Sequence, residues 1–394
     1  MTGARRLIPL ALILATHAVP SVAQTITVRE TAGIRRTQFP VTAQVPIAKG
    51  ALTEPDRARL RSGDTDTPVQ FSAGARWEDG SVRILKVIFN VSVGPGERQS
   101  YQLQYGEGVV AAAPPRGLAV NRKADASGIV VGNLTLSEMA GALVASANYR
   151  GEFIGSGANG LSAVDSAGRR HVAGTAGPTA IEIDERGPLL ASVRYDYVIA
   201  VGPEDRVSAR VTIDAPSSKS WLKASTVVSD PAKRLREVVF ELPLAFAAFP
   251  WTWDFGTPNG TYGAFRNATD AATLIYTVPS RGTATWRVEN GTSGELRPYE
   301  VSAGARSLPV QGWAHIQDAN KAVAFAIEDF GKAPGTYSVQ LDGKGQTSFR
   351  FATLQPASEH RLTVYAHFVS TPVPIGAATS PASILAPLEV TIGR

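Results

Sequence analysis

Residues 85–105 read LKVIFNVSVGPGERQSYQLQY, and residues 193–213 read VRYDYVIAVGPEDRVSARVTI. In both stretches apolar and polar residues alternate with a period of two, which is the pattern of a β-strand that buries one face. A Gly-Pro turn interrupts each stretch, at residues 94–97 and 202–205. Two alternating runs around such a turn are typical of a hairpin, so each stretch predicts a pair of antiparallel strands.

The period of two recurs along most of the chain, whereas no window sustains the 3.6-residue period of an amphipathic helix. Glycine (37 residues) and proline (26 residues) are abundant, which indicates many turns between short elements. The chain has no cysteine, which excludes a disulfide framework, a thiolate metal site and a cysteine nucleophile. We predict an all-β fold, with a small N-terminal β-barrel followed by a large antiparallel β-sandwich.

The first 23 residues have the features of a secretory signal peptide. Arg5 and Arg6 give a positive start, residues 7–19 form a short apolar run, and Pro20 ends it. The alternative is a retained amphipathic anchor. We therefore predict a secreted or periplasmic protein that has no membrane association once residues 1–23 are cleaved, since no later stretch is apolar over the length of a membrane span.

Residues 111–116, AAAPPR, predict a linker between a barrel domain at residues 24–110 and a sandwich domain at residues 117–394. Removing the signal peptide lowers the formal net charge from +5 to +3. The charges are interspersed, and no run of lysine and arginine forms a nucleic-acid patch. We predict no nucleic-acid partner.

Several short stretches resemble the YetA-like, exo-rhamnogalacturonan lyase-like proteins. The N-terminal barrel of that family is similar to residues 39–42 (FPVT), 50–52 (GAL), 67–70 (TPVQ) and 76–83 (RWEDGSVR). Its central sandwich is similar to residues 187–194 (GPLLASVR), 311–318 (QGWAHIQD), 322–330 (AVAFAIEDF) and 358–368 (SEHRLTVYAHF).

The resemblance implies a protein that acts on or binds acidic, pectin-type polysaccharide. Full-length members continue into a helical toroid that forms half of the expected catalytic cleft, and this sequence has no such helical region. The resemblance therefore implies either a glycan-binding module or a lyase whose helical domain comes from a separate chain.

Residues 249–267 combine aromatic, amide and charged side chains in a segment rich in glycine and proline. Flat aromatic rings stack on sugar faces, and nearby amides and carboxylates bond to hydroxyl groups. We predict a carbohydrate-binding platform made by Trp251, Trp253, Asp254, Asn259 and Asn267. The alternative is that the two tryptophans, which are two residues apart, lie on one strand face and seal the sandwich.

Elimination from a uronic acid needs a group that neutralises the carboxylate, a base and an acid. Arg266 is the candidate for the first task, and Tyr262 and His315 are the candidates for the other two. Lone histidines on strands are more often structural than catalytic. His360 and His367 are seven residues apart and so fall on opposite faces of one strand, which argues against a shared metal. We predict no cofactor; calcium is an alternative that no motif supports.

Three hypotheses of different classes follow. The favoured one is a secreted carbohydrate-associated protein that binds acidic or pectin-type polysaccharide or oligosaccharide. The second is an active polysaccharide lyase that works by β-elimination. The third is a structural or adhesive surface protein without catalysis.

Overall fold

The computed structural model describes residues 22–258, 260–292, 295–299, 310–373 and 384–393. In this part the chain folds into antiparallel β-sheets, with a 3-10 turn at Ala173–Ala176. The prediction of an all-β fold is confirmed. Among the described residues no helix is long and apolar enough to cross a membrane. The predicted signal peptide lies outside the described residues except for its last two positions, which begin the first strand.

The N-terminal unit consists of two sheets around one core. Its strands are β1 (Val22–Arg29), β2 (Arg36–Pro46), β3 (Ala58–Ser62), β4 (Thr65–Thr67), β5 (Val69–Arg76), β6 (Val82–Val93) and β7 (Arg98–Tyr105). One sheet has the order β2-β6-β5, and the other contains β1-β7-β3-β4. Alternate residues of these strands, such as Val28, Phe89 and Leu103, are completely buried between the two sheets.

The larger unit contains most of the remaining strands. They are β8 (Val120–Arg122), β9 (Gly128–Val131), β10 (Leu134–Ser137), β11 (Val144–Ala147), β12 (Gly160–Asp165), β13 (Arg170–Val172), β14 (Ala180–Arg186), β15 (Leu190–Ala200), β16 (Arg206–Pro216), β17 (Trp221–Ser229), β18 (Leu235–Pro243), β19 (Trp251–Phe255), β20 (Tyr262–Phe265), β21 (Ala271–Val278), β22 (Thr285–Thr292), β23 (Glu295–Tyr299), β24 (Trp313–Gln317), β25 (Ala322–Ile327), β26 (Gly335–Asp342), β27 (Gln346–Thr353) and β28 (Glu359–Val369).

Two large sheets pack face to face to form the sandwich. The eight-stranded sheet has the order β13-β12-β18-β27-β26-β21-β22-β23, and the nine-stranded sheet has the order β14-β15-β16-β17-β28-β25-β24-β19-β20. A small sheet, β11-β10-β9-β8, adds to the same core. The apolar residues of the strands alternate, so one face of each large sheet is buried in the sandwich. The other face of the nine-stranded sheet carries polar and aromatic side chains, and we call it the outer face.

The N-terminal unit sits on this outer face. Trp221 of β17 is 5% exposed and meets Phe39 of the N-terminal unit edge to face, with 5.7 Å between ring centroids. The Glu185 carboxylate of β14 also crosses the boundary, since it accepts bonds from the Ser72 hydroxyl at 2.8 Å and the Lys86 ammonium at 2.9 Å. Apolar contact and charged hydrogen bonds therefore fix the two units together.

The last described strand, β29 (Glu389–Gly393), belongs to the N-terminal unit. It pairs with β1, so that Arg29 lies opposite Glu389 and Thr25 lies opposite Gly393. The predicted sandwich range of 117–394 therefore differs from the structure at its end. A strand of five residues carries no signal for the sheet it joins, because both units offer antiparallel edges.

The two hairpin predictions have different outcomes. Residues 193–213 form a hairpin in which β15 and β16 pair over eleven positions. Residues 85–105 also form two strands, β6 and β7, but β6 pairs with β2 and β5, whereas β7 pairs with β1 and β3. The hairpin predicted there is wrong, because the turn at residues 94–97 carries the chain from one sheet to the other.

Candidate functional site

The predicted sugar platform is a hairpin at the edge of the nine-stranded sheet. β19 pairs with β20, so that Trp251 lies opposite Phe265 and Trp253 lies opposite Gly263. A Cβ atom at position 263 would come within 2.4 Å of the Trp253 ring, so a residue without a side chain is needed there. Gly263 thus allows β20 to pack closely against the Trp253 ring at this edge of the sheet.

Both tryptophans are buried in the sandwich. Trp251 is 6% exposed and Trp253 is 2% exposed. The Trp251 indole donates a hydrogen bond to the Ala247 carbonyl at 2.7 Å, and its ring lies 4.4 Å from the ring of Phe249. They do not present a flat surface to a sugar, which agrees with the alternative that the two tryptophans seal the sandwich. Alternation on β19 directs both rings into the core.

Asp254 and His315 form a buried pair on the outer face. They lie opposite each other on β19 and β24, and the Asp254 Oδ1 to His315 Nδ1 distance is 2.9 Å. Each side chain is 2% exposed, and the His315 Nε2 atom is buried without a hydrogen-bond partner. An imidazole held this way by a carboxylate has the electronic arrangement of a general base. A substrate has no access to it at this degree of burial.

The other predicted residues are spread along β20 and the turn after it. Tyr262 is 66% exposed and lies opposite Asp254, so the structure brings Tyr262, Asp254 and His315 into one row across three strands. Arg266 follows the opposite end of β20. The Asn267 side-chain oxygen accepts a bond from the Thr269 backbone amide at 2.8 Å, which is a turn-forming role. Asn259 lies outside the described residues.

A groove elsewhere on the sandwich is a second candidate site. It consists of two open cavities of about 420 Å³ and about 390 Å³, and both are lined by Arg150 and Ser370. We call it the Arg150 groove. The lining of cavity 1 includes Asn133, Asn148, Tyr149, Ser220 and His367. The lining of cavity 2 includes Phe153, Phe246, Asp318, Asn320 and Lys321.

Arg150 occupies a strained position between the two cavities. Its φ angle is 63°, in the left-handed region, where a residue other than glycine, asparagine or aspartate costs about 1 kcal/mol. The Asn148 side-chain oxygen accepts a bond from the Gly151 amide at 3.2 Å and holds this turn. The Arg150 side chain is exposed, and no carboxylate of the described residues lies within 4.0 Å of its charged nitrogens. Strain of this kind is concentrated at functional sites.

In cavity 2, Asp318 and Lys321 lie in the turn between β24 and β25, and both side chains have hydrogen-bond partners. The Asp318 carboxylate accepts bonds from the backbone amides of Ala247 at 2.6 Å and Lys321 at 2.8 Å. The Lys321 ammonium donates to the Glu152 carbonyl and lies 4.9 Å from the centre of the Phe153 ring. Burial lowers the pKa of Lys321. Together with Arg150, cavity 2 therefore contains two positive groups and one negative group.

In cavity 1, His367 presents an uncharged imidazole. Its ring meets Trp221 edge to face, with 5.9 Å between ring centroids. Burial lowers the pKa of His367 to about 4, and the nearby Lys219 ammonium adds to this effect. The imidazole is therefore neutral at neutral pH, and its Nδ1 atom is buried without a partner.

Sequence reasoning missed the Arg150 groove because its residues come from distant segments of the chain. The segments that line the groove meet only after the sandwich has formed. They are residues 133, 148–150, 220, 245–247, 318–321 and 367–370. None of these segments contains a motif of its own. In the described part of the chain, no three His, Asp or Glu side chains group as a metal site would require.

Comparison with known structures identifies the fold. An α-mannosidase from Enterococcus faecalis aligns with a TM-score of 0.56 and 12% identity over 94% of this chain and 46% of its own. A glycosyl hydrolase family 38 protein from the same organism aligns with a TM-score of 0.56 and 10% identity over 94% and 47%. This chain spans less than half the length of either protein, and at these identities the likeness shows the fold alone.

No protein-family model and no curated protein matches the sequence. The fold is thus shared with glycosyl hydrolase structures, and the resemblance to the exo-rhamnogalacturonan lyase-like family stays a prediction.

Proposed function

We propose that this chain is a secreted carbohydrate-associated protein that binds a saccharide in the Arg150 groove. The observation that carries the proposal is the composition of the groove lining. Amides, a hydroxyl, an imidazole and a guanidinium surround an open cavity beside aromatic rings. Sugars need many directional hydrogen bonds together with an apolar contact for the face of the ring, and this lining offers both. The shared fold with glycosyl hydrolases supports the same class of ligand.

The finer proposal is that the ligand is acidic, as in a pectin-type polysaccharide. Arg150 is a forked donor that suits a carboxylate, and it has no acidic partner among the described residues. The signal peptide predicted at residues 1–23 supports the part of the proposal that places the protein in the secreted or periplasmic space.

A lyase centred on Tyr262, His315 and Arg266 is the second candidate, and the geometry favours it less. The base would be His315, whose side chain is 2% exposed, and Arg266 is at the far end of β20 from Tyr262. Lyase activity would therefore need the outer face to open, or a helical domain from a separate chain. The burial of Trp251 and Trp253 is also what a purely structural protein would show.

The test compares two exposed arginines. The mature protein and its Arg150→Asn and Arg266→Asn variants would be passed over immobilised pectic polysaccharide, and their affinities for soluble fragments would be measured by calorimetry. We expect Arg150→Asn to weaken binding about tenfold or more, the value of a charge-assisted bond, and Arg266→Asn to leave it unchanged.

Loss of binding in Arg266→Asn alone would place the site at the β19–β20 hairpin and overturn the proposal. The same reactions would be followed by ultraviolet absorbance of an unsaturated uronate. A rise that His315→Gln abolishes would favour the lyase. No retention and no absorbance change would favour the structural protein.

A further inference from the structure

The connection between β16 and β17 forms part of the wall of cavity 1. Residues 217–220 make this connection, and Ser220 and Phe368 both belong to the lining of the cavity. The Ser220 hydroxyl donates a hydrogen bond to the Phe368 carbonyl at 2.6 Å, and the Phe368 amide donates to the Ser220 carbonyl at 2.8 Å. The connection and β28 therefore form one wall, whose shape depends on where residues 217–220 are held.

The same connection is bonded to the N-terminal unit. The Ser218 hydroxyl donates to the side-chain oxygen of Asn90 on β6 at 3.0 Å. The Lys219 ammonium donates to the backbone carbonyl of Thr37 on β2 at 2.7 Å. Neither Asn90 nor Thr37 lines the groove. Because connections at the surface move more than the strands that they join, these two bonds restrict residues 217–220 from outside the cavity.

A chain of ring contacts joins the N-terminal unit to His367 in the same wall. Trp221 is the first residue of β17 and lies opposite His367 on β28. Its indole meets the imidazole edge to face, with 5.9 Å between ring centroids, and meets Phe39 of β2 in the same way at 5.7 Å. Trp221 packs into the apolar core of the N-terminal unit. The His367 imidazole is therefore supported by a ring that the N-terminal unit holds in place.

We infer that the N-terminal unit positions the wall of cavity 1, with Asn90, Thr37 and Phe39 as positioning groups that do not touch the ligand. This inference rests on the proposed function, and it adds that the sandwich binds a saccharide at full affinity only while the N-terminal unit is joined to it. Coupling between two equilibria is reciprocal, so a bound saccharide also strengthens the join between the two units.

The test uses two serines at the boundary between the units as a matched pair. Ser218→Ala and Ser72→Ala each remove a hydroxyl that bonds across this boundary, but the partner of Ser72 is Glu185 on β14, three strands away from β17 in the sheet. Calorimetry would measure the affinity of the full mature chain for soluble pectic fragments. We expect Ser218→Ala to weaken binding about threefold or more, the value of one hydrogen bond, and Ser72→Ala to leave it unchanged. Ser218→Thr, which keeps the hydroxyl, should restore the affinity of the wild type.

Two further measurements follow the coupling itself. Asn90→Ala removes the other partner of the Ser218 bond, so Asn90→Ala, Ser218→Ala and the double variant should all lose the same affinity. Proteolysis between the two units should be slower when the fragments are present at saturating concentration, because the ligand favours the joined state.

The outcomes separate the inference from the function on which it rests. If the wild type binds no fragment, the proposed function fails and the inference fails with it. If the fragments bind and Arg150→Asn weakens them, but Ser218→Ala binds as tightly as the wild type, the function stands and the inference is overturned. Equal losses in Ser218→Ala and Ser72→Ala would also overturn it, because they would show a general loosening of the boundary. Thermal unfolding of each variant confirms that a lost affinity is not a lost fold.

Discussion

Asp254 and His315 face each other on adjacent strands and share a 2.9 Å hydrogen bond, while only 2% of each side chain reaches solvent. The bond is charge-assisted, since its acceptor is a carboxylate, and removing it leaves a buried imidazole without that partner. The pair is placed to stabilise the edge of the nine-stranded sheet, because it joins β19 to β24 on the face opposite the core.

The first prediction concerns this pair. Asp254→Asn should lower the free energy of unfolding by about 2 kcal/mol, the usual value of a buried hydrogen bond to a charged group. Urea unfolding at neutral pH measures it. Tyr262→Phe is the control, because Tyr262 lies in the same row but is 66% exposed, and it should change stability by less than about 0.5 kcal/mol. Equal effects would mean that the bond carries no net stability.

The second prediction concerns the backbone at Arg150. Because φ is 63°, Arg150→Asn should keep or raise the free energy of unfolding, since asparagine tolerates the left-handed region. Arg150→Val should lower it by more than about 1 kcal/mol, because a branched Cβ is least tolerated there. Both variants remove the same charge, so both should lose saccharide affinity while their melting temperatures move apart. Equal melting temperatures would contradict the assigned strain.

The third prediction is a pH dependence that His367 contributes. Its pKa is about 4 in the folded protein, below the ordinary value of 6.5. Between these two values the unfolded chain binds a proton that the folded chain does not, so stability is lost as pH falls from about 6.5 to about 4. His367→Gln should remove this part of the loss. Urea unfolding at about pH 7 and about pH 4.5 should show a smaller decrease in the variant. The same decrease in both proteins would assign the acid sensitivity to other groups.

The fourth prediction concerns the join between the two units. Glu185 accepts bonds from Ser72 and Lys86 of the N-terminal unit and is buried, whereas Glu182 on the same strand is exposed and pairs with Arg194. Glu185→Gln should lower the free energy of unfolding by about 1–3 kcal/mol and speed proteolysis between the units. Glu182→Gln should have little effect. If both variants resist protease like the wild type, the apolar contact of Trp221 with Phe39 is sufficient to hold the join.

The strands of this protein could be predicted from sequence, but their partners could not. Alternation placed strands at residues 85–93 and 193–199, since burial on one face leaves a local pattern. Strand pairing does not leave such a local pattern. The two turns look alike in sequence, but the turn at residues 202–205 closes a hairpin, whereas the turn at residues 94–97 connects two different sheets. Part of the reason lies far from that turn in sequence, since the Glu30 carboxylate accepts a bond from the Gly96 amide at 3.1 Å.

The same limit applies to the site. A segment with two tryptophans, such as residues 249–267, is conspicuous in sequence, and the structure shows that the tryptophans serve the core. Arg150 has no distinctive neighbours in the sequence, and its importance comes from a backbone angle and from residues 70 or more positions away that meet around it. Its role could not have been predicted from a local pattern.

The pairing of β1 with β29 has a consequence for the order in which the protein can fold. Arg29 and Glu389 are partners separated by 360 positions, so the sheet that contains β1 gains its edge strand from residues that are made after the whole sandwich. During synthesis the N-terminal unit must wait with the backbone of β1 unpaired on one side while the sandwich is assembled. The sandwich, whose contacts are contained in the segment between, can form first, and the N-terminal unit then closes as the final event.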